Sequence, residues 1–407
     1  MRDTTKIRQL RRMIERFIQW LEHYGEYSYD FQTFYASPIG QKAKGLYYRN
    51  RALGTLAVAP IILCEAFIPE ARRLFWKPQR FPIADAHYAM GFAVLSQALG
   101  DTKCYDRAVH FLEVLESTRC AGYTHSAWGY PFDWVGIRGT IKEGTPLITT
   151  EPYVYEAFSH VFEIDKDKKW RKTMESLARH VSEDYIDTDT SERASRVSYT
   201  PSSDPTGGGG IVNASAYRAF MLTKAALDFS EDRYRRQAER NLNFVLESQH
   251  SDGSWYYAMD GDRSFIDHFH TCFVLKAIAK IERLTGNPQC SAAIERGVGY
   301  YVEHLFDADG LPKPFAKAPR LTIYRRELYD YAECINLAIL LRGRFPELDR
   351  RLDTVVDDLL ARWQQPDGSF KSRHLLLGWD KVPMHRWAQA QLFRSLCLLL
   401  MQCEGYS

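Results

Sequence analysis

A short polar turn occurs three times along this chain at a nearly constant interval. The segments SDGSW at 251–255 and PDGSF at 366–370 share Asp-Gly-Ser followed by an aromatic residue, and FDADGL at 306–311 is a weaker copy. Their aspartates, Asp252, Asp309 and Asp367, lie 57 and 58 residues apart. Asp-Gly is typical of tight turns, because glycine accepts a positive φ and aspartate caps its own backbone. The interval therefore indicates a repeated structural unit.

The segments between the turns predict helices of two kinds. PELDRRLDTVVDDLLARW at 346–363 places its leucines and valines on one stripe, which is typical of an outer helix with one face in water. HTCFVLKAIAKI at 270–281 is apolar on almost every side, which indicates a helix buried all round. The two kinds alternate along the chain. Helices of the buried kind are predicted to begin near Ile83, Glu151, Asn213, His268, Leu328 and His385, and amphipathic helices near Thr102, Asp165, Asp232, Pro288 and Pro346, with an N-terminal helix at Thr5–Glu22 as the sixth.

This alternation predicts an all-α fold, an (α/α)6 toroid in which six inner helices are surrounded by six outer ones. We assign residues 1–80 to N-terminal helices that pack on the barrel and complete it, and residues 81–407 to the toroid, the two forming one structural unit. The loops that enter the second to sixth inner helices are long, whereas the connections on the other side are short. Long loops in compact domains are usually functional, so the site is expected at the loop end. The glycine-rich segment at 199–215 is interpreted as a flexible lid over it.

The motif Gln-x-x-Asp-Gly-Ser-Trp at 249–255 resembles the repeat of α/α-toroid proteins such as squalene-type terpene cyclases and protein prenyltransferase β subunits. The same barrel occurs in six-hairpin glycosidases, toroid polysaccharide lyases and glucuronyl C5-epimerases. The resemblance covers the repeat pattern at about 80–405 and implies the fold, but it does not specify the reaction.

Composition excludes several classes of function. The net charge of +2, from 53 basic and 51 acidic residues, gives no broad basic surface for nucleic acid. The N-terminus has no signal-peptide pattern and no window approaches 18 uncharged apolar residues, so we predict a cytoplasmic protein without a membrane span. The longest apolar stretch, LGTLAVAPIILCEAFI at 53–68, is interpreted as a buried helix. Eight scattered cysteines indicate reduced core thiols, and neither a cofactor nor a metal is predicted.

The predicted site residues come from the first turns of the inner helices and from the long loops. Tyr155, His270, Tyr331 and His385 are the candidates for acid and base catalysis, and Arg326 and Arg386 are the candidates for binding a carboxylate, since arginine binds carboxylates in a bidentate fashion. The other predicted substrate-binding residues are mostly aromatic and suited to stacking on sugar rings; they are Trp128, Tyr130, Trp134, Tyr153, Tyr217, Trp255, Asp262 and Trp387.

These residues favour a carbohydrate-active enzyme that removes a proton next to the carboxylate of a uronate-containing glycan or glycan intermediate. The reaction would be an epimerisation or an elimination in polysaccharide biosynthesis, with an acidic oligosaccharide as the partner and an oligomeric state that the sequence does not specify. An alternative is an inverting glycoside hydrolase that uses Asp133 with Glu156 or Asp262, two carboxylates about 6.5–9.5 Å apart. Two further alternatives are a non-catalytic toroid that serves as a binding or assembly subunit, and a protein similar to prenyltransferases or terpene cyclases.

The segment DHFHTC at 267–272 bears on the last alternative. It resembles the YHTC element of prenyltransferase β subunits, and this resemblance implies a zinc ligand at His270. Those enzymes also need an Asp-x-Cys pair, which occurs nowhere in this chain. His268 and His270 point about 200° apart on a helix, so they cannot both bind one metal ion.

Overall fold

Six helical hairpins follow one another around a ring in the computed structural model, which describes residues 4–137, 139–201 and 210–405. The N-terminal part contains α1 (Thr4–Tyr24), α2 (Thr33–Ala36), α3 (Pro38–Arg49), α4 (Arg51–Phe67) and α5 (Arg72–Phe75), with a 3₁₀ turn at Pro69–Ala71. The hairpins follow as α6 (Pro82–Leu99), α7 (Thr102–Ser117), α8 (Glu151–Asp165), α9 (Lys168–Glu183), α10 (Val212–Phe229), α11 (Asp232–Glu247), α12 (His268–Thr285), α13 (Pro288–His304), α14 (Leu328–Leu340), α15 (Pro346–Arg362) and α16 (Ala390–Cys403). Part of the predicted glycine-rich lid, 202–209, lies outside the described residues.

The inner ring is closed. Helices α6, α8, α10, α12, α14 and α16 each contact the next, and α16 returns to contact α6. Helix α1 contacts both α15 and α16, so the N-terminal helix takes the sixth outer position. The predicted all-α toroid with alternating inner and outer helices is confirmed. The helix starts agree with the prediction to within about three residues, except that the sixth inner helix is preceded by a π-helical turn at His385–Gln389.

Short antiparallel strands lie in the long loops at the end where the inner helices begin. β1 (Trp134–Gly136) pairs with β2 (Gly139–Ile141), β3 (Asp187–Asp189) with β4 (Ser195–Val197), and β5 (Ile266–Asp267) with β6 (Phe315–Lys317). β7 (Tyr324–Glu327), β8 (Arg373–Leu375) and β9 (Trp379–Asp380) form a three-stranded sheet. These ladders pair segments of the long loops with one another within the described residues.

The Asp-Gly turns link neighbouring hairpins. Gly253 has φ +93°, and a Cβ atom added there would lie 2.3 Å from the backbone oxygen of Arg296 on α13. Gly368 has φ +102°, and its added Cβ would lie 2.3 Å from the backbone oxygen of Arg16 on α1. Each turn therefore needs glycine for two reasons, its left-handed conformation and its close contact with the next outer helix. The contact of Gly368 with α1 helps to close the outer ring.

Helices α2–α5, which we call the cap (residues 33–75), lie on the loop end of the toroid. α2 and α3 contact β1. The cap has its own small group of buried apolar side chains, namely Phe34, Ala43, Val58 and Ile61. Two buried ion pairs join it to the three-stranded sheet: Arg72 Nη1 lies 2.9 Å from Asp380, and Arg373 Nη1 lies 2.7 Å from Glu65. The cap is thus held mainly by charged contacts.

The apolar stretch at 53–68 forms a helix, but the prediction that this helix is buried is wrong. Gly54, Val58, Ile61 and Glu65 face inwards on α4, whereas Leu56 is 72% exposed. The reason is that the cap is a single layer and no residue in the described part of the chain covers its outer side. Within the described residues no single helix is long and apolar enough to cross a membrane, although the bent pair Arg51–Phe67 and Pro69–Phe75 meets that test of length and composition.

A cluster of charged side chains fills the ring beyond the first turns of the inner helices. Lys280 Nζ lies 2.5 Å from Glu156 Oε1, and Arg394 Nη2 lies 3.7 Å from Glu156 Oε2. Lys276 pairs with Glu333 in the same region. Burial alone would raise the pKa of Glu156, but Lys280 and Arg394 lower it to about 2. Three inner helices are therefore joined through one carboxylate, and this cluster forms the floor of the site.

We predict that Gly253→Ala and Gly368→Ala each lower the free energy of unfolding by about 2 kcal/mol, because alanine in the left-handed region costs about 1–2 kcal/mol and the clash with a helix backbone adds to this. Gly310→Ala is the matched control, since its Cβ would meet only the guanidinium end of Arg351. Urea unfolding of the three variants measures the difference. Equal losses at all three positions would contradict this account of the turns.

We predict that Glu156→Gln lowers the free energy of unfolding at pH 7 by about 3–5 kcal/mol, because two buried cations lose their counter-charge. The folded pKa of about 2 lies below the ordinary value of 4.5, so this contribution is complete above pH 4.5 and is lost as the pH falls towards 2. The difference in the free energy of unfolding between wild type and variant should therefore decrease as the pH is lowered, and urea unfolding at several pH values measures it. Glu163→Gln, which removes an exposed pair with Lys166, is the control.

Candidate active site at the loop end of the toroid

Aromatic rings from the inner helices meet around the toroid axis. The ring of His87 lies 4.5 Å from that of Tyr153, Tyr153 lies 5.4 Å from Tyr217, and Tyr217 lies 5.3 Å from Phe273. The hydroxyl groups of Tyr153 and Tyr217 are hydrogen-bonded at 2.7 Å. Burial raises the pKa of both phenols well above the usual value, so both stay protonated. The predicted pair Tyr153 and Tyr217 therefore lies at the centre of the ring.

The sixth inner helix begins with a strained turn. Ala388 has φ +130° in the π-helical turn, a conformation that is rare for a residue with a side chain. The turn places the ring of Trp387 on Tyr329, with the centroids 4.7 Å apart, and Trp387 Nε1 donates to Glu327 at 2.6 Å. Arg386 makes a bidentate ion pair with Asp30 at 3.0 and 2.5 Å and donates to the Tyr130 hydroxyl at 3.3 Å. Backbone strain is often concentrated at functional sites, and here it positions two predicted site residues.

Asp267 and His270 form a hydrogen-bonded pair at the start of α12. Asp267 Oδ1 accepts from the backbone N–H of His270 at 2.9 Å and so caps the helix. Its other oxygen, Oδ2, accepts from His270 Nδ1 at 2.6 Å. His270 Nε2 makes no hydrogen bond within residues 4–137, 139–201 and 210–405, and the side chain is 23% exposed. The carboxylate thus orients the imidazole and leaves one ring nitrogen open.

His270 contributes to the wall of a narrow cleft between α10 and α12. The ring of Tyr257 lies 4.6 Å from the imidazole, and Asn213, Trp255 and Phe265 contribute to the walls. The Asn213 side-chain oxygen is buried and has no hydrogen-bond partner in the described part of the chain. An unpaired buried carbonyl oxygen is unfavourable, so it is suited to accept a ligand hydroxyl. The cleft has room for about one water molecule in this structure.

Lys44 reaches from cap helix α3 towards the toroid. Its Nζ lies 5.4 Å from the ring centroid of Tyr35 and 6.0 Å from that of Trp134. Burial, with a smaller contribution from Arg320, lowers the pKa of Lys44 to about 8. No carboxylate pairs with this amine among the described residues. The ring of Tyr199 lies 5.8 Å from that of Trp134, so aromatic side chains continue inwards from Lys44.

Tyr155 and Tyr331, predicted as acid or base, point away from the axis. The Tyr155 hydroxyl donates to Asp228 at 2.7 Å, and the Tyr331 hydroxyl donates to Asp358 on outer helix α15 at 2.7 Å. The structure therefore does not bring these two tyrosines to the site. They lie two residues after Tyr153 and Tyr329, which places them on the opposite side of their helices.

His385 and His268 use both ring nitrogens inside the protein. His385 Nε2 donates to the Gly25 carbonyl at 3.0 Å, and Nδ1 accepts from the Tyr88 hydroxyl at 2.6 Å. His268 Nδ1 donates to the Leu305 carbonyl at 3.1 Å, and Nε2 accepts from Tyr301 at 2.6 Å. Burial lowers the pKa of His385 to about 4 and that of His268 to about 3. The predicted candidate His385 is thus neutral and fully bonded, and it does not line the His270 cleft.

Two of the predicted stacking residues anchor loops to outer helices. Trp128 is fully buried and its Nε1 donates to the Leu115 carbonyl at 2.8 Å, while Trp255 Nε1 donates to the Val245 carbonyl at 2.9 Å. Trp255 nevertheless contributes one wall of the His270 cleft. Only Trp134 and Trp387 among the predicted tryptophans are partly exposed at the loop end.

The remaining predicted residues lie apart from the cleft. Arg326 on β7 pairs with Asp307 and Asp309, so its charge is already balanced. Asp133 accepts from Lys142 Nζ at 2.7 Å within the β1–β2 hairpin, and Asp262 is exposed in its loop. The carboxylates predicted for hydrolysis therefore occupy three different surroundings, since Glu156 belongs to the buried cluster.

Three residues that bear on the site are not among the site residues predicted from the sequence. Asp267 had a signal, because an aspartate three residues before a histidine at a helix start can cap the helix and bind the imidazole. Asp30 and Lys44 had none, because they come from a region far from the repeats. Within the described residues no group of three or more His, Cys, Asp or Glu side chains is placed to hold a metal ion.

Solved structures share this architecture. No family model and no curated protein sequence matches the chain. A cellobiose 2-epimerase from Bacillus thermoamylovorans has a TM-score of 0.61 at 9% identity, over 79% of this chain and 88% of that chain. A D-mannose isomerase has a TM-score of 0.60 at 12% identity, over 81% and 88%. A polysaccharide lyase has a TM-score of 0.54 at 10% identity, over 79% and 90%. At these identities the likeness shows the fold, and this protein has the α/α-toroid fold that the repeat motif implied.

Proposed function

We propose that this protein is a carbohydrate-active enzyme that transfers a proton at the carbon next to the carboxylate of a uronate-containing glycan. The reaction is an epimerisation or an elimination. The observation that carries the proposal is the Asp267–His270 pair, in which one imidazole nitrogen is held by a carboxylate and the ring contributes to a cleft with aromatic walls.

The pair has the chemistry of a general base. Because Asp267 accepts the Nδ1 proton, the neutral imidazole presents its lone pair at Nε2. That nitrogen can take a proton from a bound sugar and return it, and such acid–base catalysis typically contributes about 10²–10⁴-fold to the rate. His268 and His385 cannot do this, because both of their nitrogens are already bonded.

The cationic group that supports an acidic substrate is Lys44. Removal of a proton next to a carboxylate builds negative charge, which a nearby cation stabilises. Lys44 is the better candidate for this contact than the predicted arginines, because Arg326 and Arg386 are paired with aspartates. The aromatic rings of Trp134, next to Lys44, and of Tyr199, next to Trp134, are suited to stack on sugar rings.

The solved structures with this fold are consistent with the proposal. Their names include a sugar epimerase, a polysaccharide lyase and an isomerase, and each of these reaction types is compatible with proton transfer at a sugar carbon. The hydrolase alternative has less support here, because Asp133 is neutralised by Lys142 and Glu156 is buried between two cations.

We predict that the wild-type protein exchanges a sugar-bound hydrogen for deuterium when it is incubated with oligouronides in D₂O, and that His270→Gln reduces this exchange by about 10²–10⁴-fold. Nuclear magnetic resonance of the recovered sugar measures the exchange. His304→Gln, on outer helix α13, is the control and should exchange normally.

Two results would contradict parts of this proposal. Full exchange by His270→Gln would rule out the imidazole as the base. The protein could instead catalyse exchange in neutral reducing sugars such as cellobiose or mannose and in no acidic glycan. That result would leave His270 as the base but would rule out an acidic glycan as the substrate.

We predict that the KM for an acidic glycan rises as the pH increases through about 8, because the Lys44 amine loses its charge there. Lys44→Met should raise KM about tenfold at pH 7 with a smaller change in kcat, since a charged hydrogen bond is worth about 1.5–3 kcal/mol. The Lys44→Arg variant should keep a low KM for the acidic glycan up to a higher pH than the wild type. Steady-state kinetics against pH tests this, and an unchanged KM in Lys44→Met would exclude Lys44 from binding.

A further inference from the structure

The outer side of the cap exposes a group of large apolar side chains. We call it the apolar face; its members are Ile39, Leu53, Leu56, Leu63, Phe67, Ile68 and Leu74, which are 55–88% exposed. Soluble surfaces rarely expose so many large apolar side chains close together, and such patches usually mark interaction sites. Most of the apolar face comes from one helix, α4, and the turn that follows it.

The exposed charged side chains around the apolar face are mostly basic. The exposed charged residues at 38–77 are five basic and one acidic, namely Lys42, Arg49, Arg51, Arg73 and Lys77 against Glu70. Glu70 is moreover paired with Arg73. Between Arg51 and Glu70 the single charged residue is Glu65, which is buried against Arg373. The apolar face is thus free of charge and has a basic rim.

The apolar face and the candidate site lie on opposite sides of the same layer. Glu65 and Lys44 point from the cap towards the toroid loops, whereas Leu56 and Leu63 point outwards. The β8–β9 turn next to the cap adds two exposed leucines, Leu376 and Leu377. Binding through the apolar face would therefore hold the loop end of the toroid towards the partner.

We propose that the apolar face docks on the surface of a bilayer that contains anionic lipids. An exposed apolar surface with a basic rim can lie in the interface of such a membrane, because its apolar side chains enter the boundary between headgroups and acyl chains. Basic side chains at its edge are attracted to anionic headgroups. A second copy of this chain fits the apolar face less well, because a symmetric contact would bring two basic rims together. The proposal concerns the surface and is independent of the reaction at His270.

Flotation of the full chain with lipid vesicles tests the proposal. We expect the wild-type protein to float with vesicles of equal parts phosphatidylglycerol and phosphatidylcholine, and about tenfold less with phosphatidylcholine alone. Leu56→Glu together with Leu63→Glu should weaken binding to the anionic vesicles at least about tenfold, because it places two charges in the apolar face. Leu99→Glu together with Leu227→Glu is the matched control, since both leucines are exposed at the opposite end of the toroid.

Three results would overturn the proposal. The wild type could fail to float with either vesicle, or the Leu56/Leu63 variant could float as well as the wild type. Alternatively, analytical ultracentrifugation could reveal a dimer that the same variant dissociates, which would assign the apolar face to a second copy. Circular dichroism and thermal melting of both double variants establish that each is folded.

Discussion

The inner helices have no face that is exposed to water along its length, and the architecture follows from this constraint. A helix that is buried on almost every side must be surrounded, and a closed double ring surrounds six such helices at once. Closure depends on contacts between the two ends of the chain: α16 contacts α6, and α1 fills the last outer position. The backbone contacts at Gly253 and Gly368 hold successive hairpins at the spacing that this closure requires.

Periodicity predicted the fold well, because repetition supplies the same signal several times. The direction of single side chains was predicted less well. Residues two apart on a helix point to opposite sides, and this argument, applied to His268 and His270, also separates Tyr153 from Tyr155. The structure brings Tyr153 and Tyr217 together at the axis and turns Tyr155 towards Asp228. Helix position alone therefore predicted which end of the toroid carries the polar first turns but could not identify the inward-facing residues.

Contacts between side chains far apart in the chain could not be predicted from the sequence, for a different reason. Arg386 was predicted to bind a substrate carboxylate, and in the structure it binds the carboxylate of Asp30, more than three hundred residues away. Nothing in the local pattern of either residue indicates its partner. The strained turn at Ala388 was equally hidden, because alanine has no preference for the conformation that it adopts there. Loops from distant parts of the chain meet at the site, and tertiary structure decides their contacts.

The attachment of the cap has a consequence for the local stability of this part of the protein. A small apolar group and a few arginine–carboxylate pairs hold the cap, whereas the ring beneath it shares one continuous core. Regions with few apolar contacts open locally at a lower free energy than the rest of a protein. Helices α2–α5 can then detach in part while the barrel stays intact.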